Sequence, residues 1–149
     1  TSLDDYYKSL HINMGGTFLC SREICRRLIA AGRQGKIVNI SSQAAFRGSQ
    51  SGKTAYDSSK MGIVGFTISL ALEMAKHNIH VNAVAPGLMR TEMIAAAIDA
   101  DPEKFNKRSP LGRIGTTDEI AGVVVFLASE RASYMTGATV DVSGGLAMH

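Results

Sequence analysis

The chain has 149 residues, of which 45% are apolar and 19% are charged, and its formal net charge is +3. This composition is that of an ordinary globular domain and excludes a disordered chain. No apolar run is long enough to cross a bilayer, and no basic-then-apolar leader opens the sequence. We therefore expect a cytoplasmic protein without a membrane segment.

The positive charges and the cysteines point to no special site. Several cations cluster in residues 21–36, but no aromatic residue lies among them for a base to stack on, so we expect no nucleic-acid partner. A solvated helix face explains them better, because the dipole favours cations near a helix C-terminus. Cys20 and Cys25 match neither a metal nor a redox spacing, so we predict two buried thiols and no metal site.

Helical and strand patterns alternate along the chain. Apolar residues at helical spacing predict helices, and short β-branched runs that end at Gly or Pro predict strands. The predicted elements are a helix over 1–32, a strand over 36–42, a loop over 43–54, a helix over 55–78, a strand over 79–87, short helices over 91–115, a helix over 116–132 and a strand over 137–145. Ser2 with Asp5, and Thr116 or Thr117 before Glu119, resemble helix-capping signals.

The alternation predicts the fold class. Strands separated by helices of ten or more residues form parallel sheets, so we expect an α/β domain of about three parallel strands with flanking helices. The strand runs are apolar enough to be covered on both faces. A three-stranded sheet is narrow for this class, and both of its edges need cover.

Tyr56 and Lys60 are the first candidates for chemistry. Residues four apart share one helix face, and this helix begins just after a strand and a loop, where α/β sheets bind ligands. A free tyrosine has a pKa near ~10, and a neighbouring cation lowers it, so such a pair can exchange a proton with a substrate oxygen. Ser41 or Ser42, of which strand alternation lets only one face the site, could share the charge on that oxygen. Taken alone, the pair would be an ordinary surface contact.

Further motifs accompany this pair along the chain. They are NMGGTF (13–18), GKIVNISS (35–42), TAYDSSKMGIVGFT (54–67), VNAVAPGLMRTEM (81–93), the run 110–137 and VDVSGG (140–145). In this order and spacing the chain resembles the C-terminal part of a short-chain dehydrogenase/reductase over essentially its whole length. The resemblance implies a Rossmann-like, doubly wound parallel sheet. It also implies an NAD(P)-dependent oxidoreductase that interconverts a secondary alcohol and a ketone.

The resemblance implies four catalytic residues. Tyr56 would donate or accept the proton, and Lys60 would lower its pKa and bond the nicotinamide ribose. Ser42 would orient the substrate oxygen, with Ser41 as the alternative. Asn13 would hold a relay water on its main-chain carbonyl; otherwise it is a plain helix residue.

The resemblance also implies residues that contact NAD or NADP. Besides Tyr56 and Lys60, these are Pro86, Gly87, Leu88 and Thr91. Thr91 could instead be only a helix cap. The loop 43–53 and the segment 88–113 would line the substrate pocket, with Arg90, Met93 and Phe105 as wall residues.

The sequence departs from the family pattern in two places. Ser42 and Tyr56 are 14 residues apart, one more than is usual in the family. The glycine-rich phosphate turn is absent, so residues 1–149 correspond to the catalytic portion of a single domain without its dinucleotide-binding half. A truncated, non-catalytic interaction or oligomerisation module is therefore the alternative function. Epimerases with the same Tyr–Lys motif are disfavoured because no substrate domain follows.

The substrate implied is a small alcohol or ketone, such as a sugar, a polyol or a hydroxyacyl compound. The resemblance also implies a homo-oligomer, a dimer or a tetramer.

Overall fold

The computed structural model describes residues 1–49 and 52–148, without the side chain of Met93. The helices are α1 (Leu3–Leu10), α2 (Gly16–Ala30), α3 (Ala44–Arg47), α4 (Thr54–Met74), α5 (Glu92–Ala100), α6 (Pro102–Asn106) and α7 (Thr117–Ala128). The strands are β1 (Gly35–Ile40), β2 (Ile79–Pro86) and β3 (Thr139–Val142). Within this described part, no helix combines the length and the apolar character that a bilayer crossing needs.

The three strands form one parallel sheet in the order β1-β2-β3. The register runs from Gly35 opposite Ile79 to Ile40 opposite Val84, and from Ala83 opposite Thr139 to Pro86 opposite Val142. The α/β fold and its parallel sheet, predicted from the alternation of strands and helices, are confirmed.

Helices cover both faces of the sheet. On one face, Ile79 and Val81 of β2 pack with Cys25 of α2 and Ala71 of α4. On the other face, Val84 packs with Leu127 of α7. Successive strand side chains point to opposite faces, so a central strand buried on both sides needs a continuous apolar run. Strand β2 supplies it with the sequence IHVNAVAP, in which Asn82 is the buried exception.

Two buried asparagine side chains of the sheet have hydrogen-bond partners. The Asn82 amide donates to the main-chain oxygen of Met135, and its oxygen accepts from the main-chain N–H of Ala138. Asn39 of β1 donates to the Thr67 hydroxyl of α4 at 2.9 Å. These hydrogen bonds offset the desolvation energy of a buried amide and hold the sheet to the neighbouring segments.

Parallel pairing continues beyond the carboxyl ends of the strands. The Ser41 N–H donates to Val84, the Gln43 N–H to Pro86, and the Gly87 N–H to Val142. Gly87 fits here because a Cβ atom on it would lie 2.5 Å from the Cα of Ser143. These bonds bring the three strands together at the carboxyl end of the sheet, where Ser41 also contacts α4.

One side of β1 has no strand neighbour among the described residues. Because the Ser41 N–H points towards β2, the main-chain groups of Ile40 point the other way, to the outer edge. Ile40 is itself an exposed apolar residue.

The structure differs from the predicted elements in several places. The predicted helix 1–32 contains a π turn at His11–Gly15, and the predicted loop 43–54 contains the one-turn helix α3. Gln50 and Ser51 of that loop lie outside the described residues. Cys20 is exposed rather than buried because it lies on the face of α2 that borders the outer edge of β1.

The predicted helix starts are confirmed. Ser2 and Asp5 form a capping box at α1, and Thr116 and Glu119 form one at α7. Pro102 opens α6, as expected of a residue that cannot continue α5.

Candidate active site

Tyr56 and Lys60 lie on one face of α4, in its first two turns. The Lys60 ammonium nitrogen is 5.7 Å from the centre of the Tyr56 ring, and Tyr56 is 39% exposed. The exposed phenol can therefore meet a ligand, while a cation stands beside it. The predicted juxtaposition of these two side chains is present.

The Lys60 side chain is half-buried and held by a main-chain oxygen. Its Nζ donates to the Ile40 carbonyl at 3.0 Å, on the outer edge of β1. Burial lowers the pKa of Lys60, because removing water disfavours the charged ammonium.

The hydroxyl groups of the two serines after β1 make different hydrogen bonds. Ser41 donates its hydroxyl hydrogen to the Lys60 carbonyl at 2.8 Å, which fastens α4 to the sheet. Ser42 accepts the Ala44 N–H at 3.1 Å. A hydroxyl that accepts a bond keeps its own hydrogen to donate, whereas that of Ser41 is already used. The geometry therefore favours Ser42 as the group that can donate to a substrate oxygen.

Asn13 lies in the π turn between α1 and α2. Its amide donates to the Ser59 hydroxyl at 2.9 Å, and Ser59 donates to the Tyr56 carbonyl at 2.7 Å. Asn13 and Lys60 line one cavity of about 450 Å³ between α2 and β1. Asn13 is thus tied to the helix of Tyr56 and Lys60.

The sequence pattern predicted neither the π turn nor the hydrogen bond between Asn13 and Ser59. The only local signal was the pair Gly15-Gly16, which weakens a regular helix. Ser59 lies inside the recognised Tyr–Lys segment, but no spacing rule identifies its partner 46 residues away.

The other residues predicted to contact the cofactor lie at the end of β2 and just before α5. Pro86, Gly87 and Leu88 form the end of β2 and the turn beyond it, and the Leu88 carbonyl accepts the Gly115 N–H at 3.1 Å. Thr91 occupies the position before α5, but its side chain makes no capping hydrogen bond. Thr91 thus stands at the N-cap position of α5 without using its side chain as a cap, and that side chain is exposed.

The residues present fit the nicotinamide end of a dinucleotide. Ribose hydroxyls and a carboxamide need hydrogen-bond donors and acceptors, which the Tyr56 phenol, the Lys60 ammonium and the Thr91 hydroxyl provide. At Gly87 the absence of a side chain lets the turn pass close to the end of β3.

Two of the three side chains predicted to line the substrate pocket lie within the described part of the structure. Arg90 is bound by Asp99, with both carboxylate oxygens 2.8 Å from one guanidinium nitrogen. Phe105 is half-buried in α6, and the side chain of Met93 lies outside the described residues.

A second cavity, of about 460 Å³, lies beyond the ends of β2 and β3. Arg113 binds Glu119 on its wall through two contacts, of 3.0 and 2.6 Å. The Arg113 guanidinium and the Thr116 N–H hold the pKa of Glu119 at about 2. Glu119 thus serves both the capping box of α7 and the ion pair with Arg113.

Comparison with known proteins identifies relatives along nearly the whole chain. A family profile described as enoyl-(acyl carrier protein) reductase matches residues 1–147. A 3-oxoacyl-(acyl-carrier-protein) reductase of Aquifex aeolicus is 46% identical over 97% of this chain and 58% of its own length. A (3R)-3-hydroxyacyl-CoA dehydrogenase of Rattus norvegicus is 40% identical over 99% of this chain and 56% of its own length. The chain thus spans little more than half of the curated relatives it matches.

Solved structures agree with this comparison. An acetoin dehydrogenase of Enterobacter cloacae is 38% identical, with a TM-score of 0.86 over 98% of this chain and 57% of its own. A 4-hydroxyisoleucine dehydrogenase, solved with NADH and succinate, is 30% identical, with a TM-score of 0.91 over 97% of this chain and 60% of its own. Sequence motifs, fold and relatives therefore agree, and this chain belongs to the short-chain dehydrogenase/reductase family.

Proposed function

We propose that this protein is an NAD(P)-dependent oxidoreductase that interconverts a secondary alcohol and a ketone, with Tyr56 as the proton donor. The observation that carries the proposal is the Lys60 ammonium beside the exposed Tyr56 ring, at a distance of 5.7 Å from its centre. An ammonium at this place stabilises the negative charge that develops on the phenol oxygen when the proton leaves.

In this proposal, Lys60 and Tyr56 would bond the ribose next to the nicotinamide. Pro86, Gly87 and Leu88 would line the nicotinamide, and Thr91 would bond its carboxamide or the adjacent phosphate. When bound, NAD or NADP accepts or supplies the hydride, which no protein side chain can do.

The protein's own residues would handle the proton. In the reducing direction, Tyr56 gives its phenol proton to the ketone oxygen, and Ser42 donates a hydrogen bond to the same oxygen. That bond strengthens as the oxygen gains negative charge, so it lowers the barrier. Lys60, with a water held by the Asn13 carbonyl, would return a proton to Tyr56.

Two relatives favour a hydroxyacyl substrate over a sugar or a polyol. The Aquifex and rat proteins are both named for reactions of 3-oxoacyl or 3-hydroxyacyl thioesters. We therefore propose this substrate class as the first to assay.

We further propose that the protein acts as a homo-oligomer in the cytoplasm. Large apolar side chains stay exposed on the long helices, among them Phe18 and Leu19 of α2 and Ile68 and Leu72 of α4. Such residues suit contact with a second copy of the chain.

The test is the turnover of Tyr56→Phe in the protein expressed from its complete gene. A 3-oxoacyl thioester and NADH or NADPH serve as substrates. We expect turnover to fall by about 100-fold or more, since a positioned proton donor contributes about 10²–10⁴-fold. The melting temperature should stay near that of the wild type, because the hydroxyl has no hydrogen bond within the described residues. Tyr134→Phe, at a fully exposed tyrosine, is the matched control.

Two outcomes would contradict the proposal. Normal turnover of Tyr56→Phe would exclude this residue as the proton donor. A folded wild-type protein that binds no dinucleotide and turns over no alcohol, but associates with itself or another protein, would favour the alternative of an interaction module.

A further inference from the structure

We propose that Ser59 is a positioning residue: it holds the π turn of residues 11–15, and with it Asn13, at the cavity that Asn13 and Lys60 both line. The part of this inference that concerns catalysis rests on the proposed function. The structural part stands by itself and can be tested without substrate.

The hydrogen bonds of Ser59 fix its side chain completely. Ser59 is fully buried, its oxygen accepts the Asn13 amide at 2.9 Å, and its hydrogen goes to the Tyr56 carbonyl at 2.7 Å. A hydroxyl that both accepts and donates has one preferred orientation. Asn13 is therefore bound at a defined place on α4.

The π turn needs such an anchor. Turns of this kind are rare, because they carry one residue more than an α-helical turn, and they persist where other contacts hold them. None of the five residues of the turn is buried, so apolar packing alone does not fix it. The two glycines at its end further weaken helical order. The bond from Asn13 to Ser59 links the turn to a buried point of the neighbouring helix.

Close packing of the two helices supports this bond. A Cβ atom on Gly62 would lie 2.8 Å from the Cε atom of Met14, so Gly62 lets the turn approach α4 closely. Ser59 and Gly62 are three residues apart and thus lie on the same face of α4. Together they form the contact that receives the π turn.

Loss of the anchor would move Asn13. If the π turn relaxed to an α-helix, one residue would leave the turn and its flanking residues would rotate by about 100° relative to each other. Asn13 and Lys60 line the same cavity in the structure. A rotation of that size would carry the Asn13 carbonyl away from its present position at this cavity.

The experiment compares Ser59→Ala with Ser58→Ala. Ser58 is the adjacent serine, but among the described residues its hydroxyl bonds to carbonyls of its own helix, at Thr54 and Ala55. We expect the amides of residues 11–16 to exchange with deuterium at least about 10-fold faster in Ser59→Ala and at the wild-type rate in Ser58→Ala. We also expect kcat to fall by about 10-fold, with the KM for the alcohol changed by less than about twofold, because substrate contacts remain.

Asn13→Ala keeps the test valid if Ser59→Ala does not fold. It should speed exchange over residues 11–16 by the same factor, and the double variant should show no further increase, because both changes remove one bond. Wild-type exchange in either folded variant would overturn the proposal. Faster exchange with unchanged kcat would overturn the positioning role. A wild-type protein without turnover would refute the proposed function, while the exchange rates would still decide whether Ser59 holds the turn.

Discussion

Ser41→Ala and Ser42→Ala should have similar effects on stability and very different effects on turnover. Each substitution removes one hydrogen bond, from Ser41 to the Lys60 carbonyl at 2.8 Å or from the Ala44 N–H to Ser42 at 3.1 Å. A hydrogen bond of this kind contributes about 0.5–1.5 kcal/mol, so both melting temperatures should fall by roughly 2–6 °C. Ser42 alone would also donate to the substrate oxygen. Its loss should reduce kcat by about 10²–10³-fold, or roughly 3–4 kcal/mol of transition-state stabilisation.

The assay is steady-state ketone reduction followed by the absorbance of the reduced dinucleotide, with thermal melts of the same preparations. Ser41→Ala should keep kcat within about threefold of the wild type, since its hydroxyl only fastens α4 to the sheet. The reasoning would be refuted if Ser41→Ala lost turnover while Ser42→Ala kept it. Equal losses in both variants would show that the two hydroxyls are not separated in function.

Three predictions concern stability. Gly87→Ala should destabilise the fold by about 1–3 kcal/mol, because its new Cβ would lie 2.5 Å from the Cα of Ser143. Gly122→Ala, in the exposed middle of α7 with no atom within 4 Å of a new Cβ, should stabilise it by about 1 kcal/mol. Urea midpoints at constant slope measure both, and a destabilised Gly122→Ala or a neutral Gly87→Ala would contradict the packing described. The bond from Arg113 lowers the pKa of Glu119 from 4.5 to about 2. The ionised Glu119 therefore contributes fully to the stability of the fold above pH 4.5, and this contribution is lost as the pH falls through about 2. The difference in melting temperature between wild type and Glu119→Gln should therefore shrink between about pH 5 and pH 2, and a constant difference would exclude this linkage.

Most of the fold could be predicted from local sequence patterns, because these patterns reflect the local requirements of strands and helix ends. The apolar run of β2 marks a strand buried on both faces, and the caps at Ser2 and Thr116 mark helix starts whose N–H groups need partners. The four-residue spacing of Tyr56 and Lys60 likewise fixed their common face, since helix geometry alone determines it.

Contacts between distant segments could not be predicted in this way. The π turn depends on Asn13 reaching Ser59, and the distinction between Ser41 and Ser42 depends on which hydroxyl meets the Lys60 carbonyl. Strand alternation requires that one of the two serines faces the site but does not say which. The exposure of Cys20 depends on the absence of a strand beyond β1 among the described residues, which the helical pattern around it does not record.

The outer edge of β1, which has no strand neighbour among the described residues, is linked to the hydrogen bonding of Lys60. An unpaired strand edge is a template for self-association, and proteins often guard such edges with a lysine. Here the Lys60 ammonium occupies the outward-facing Ile40 carbonyl at 3.0 Å. Any strand that adds to this edge must take that carbonyl for its own N–H and thereby release the ammonium. If a further strand paired with this edge, the Lys60 ammonium would therefore be free for other partners.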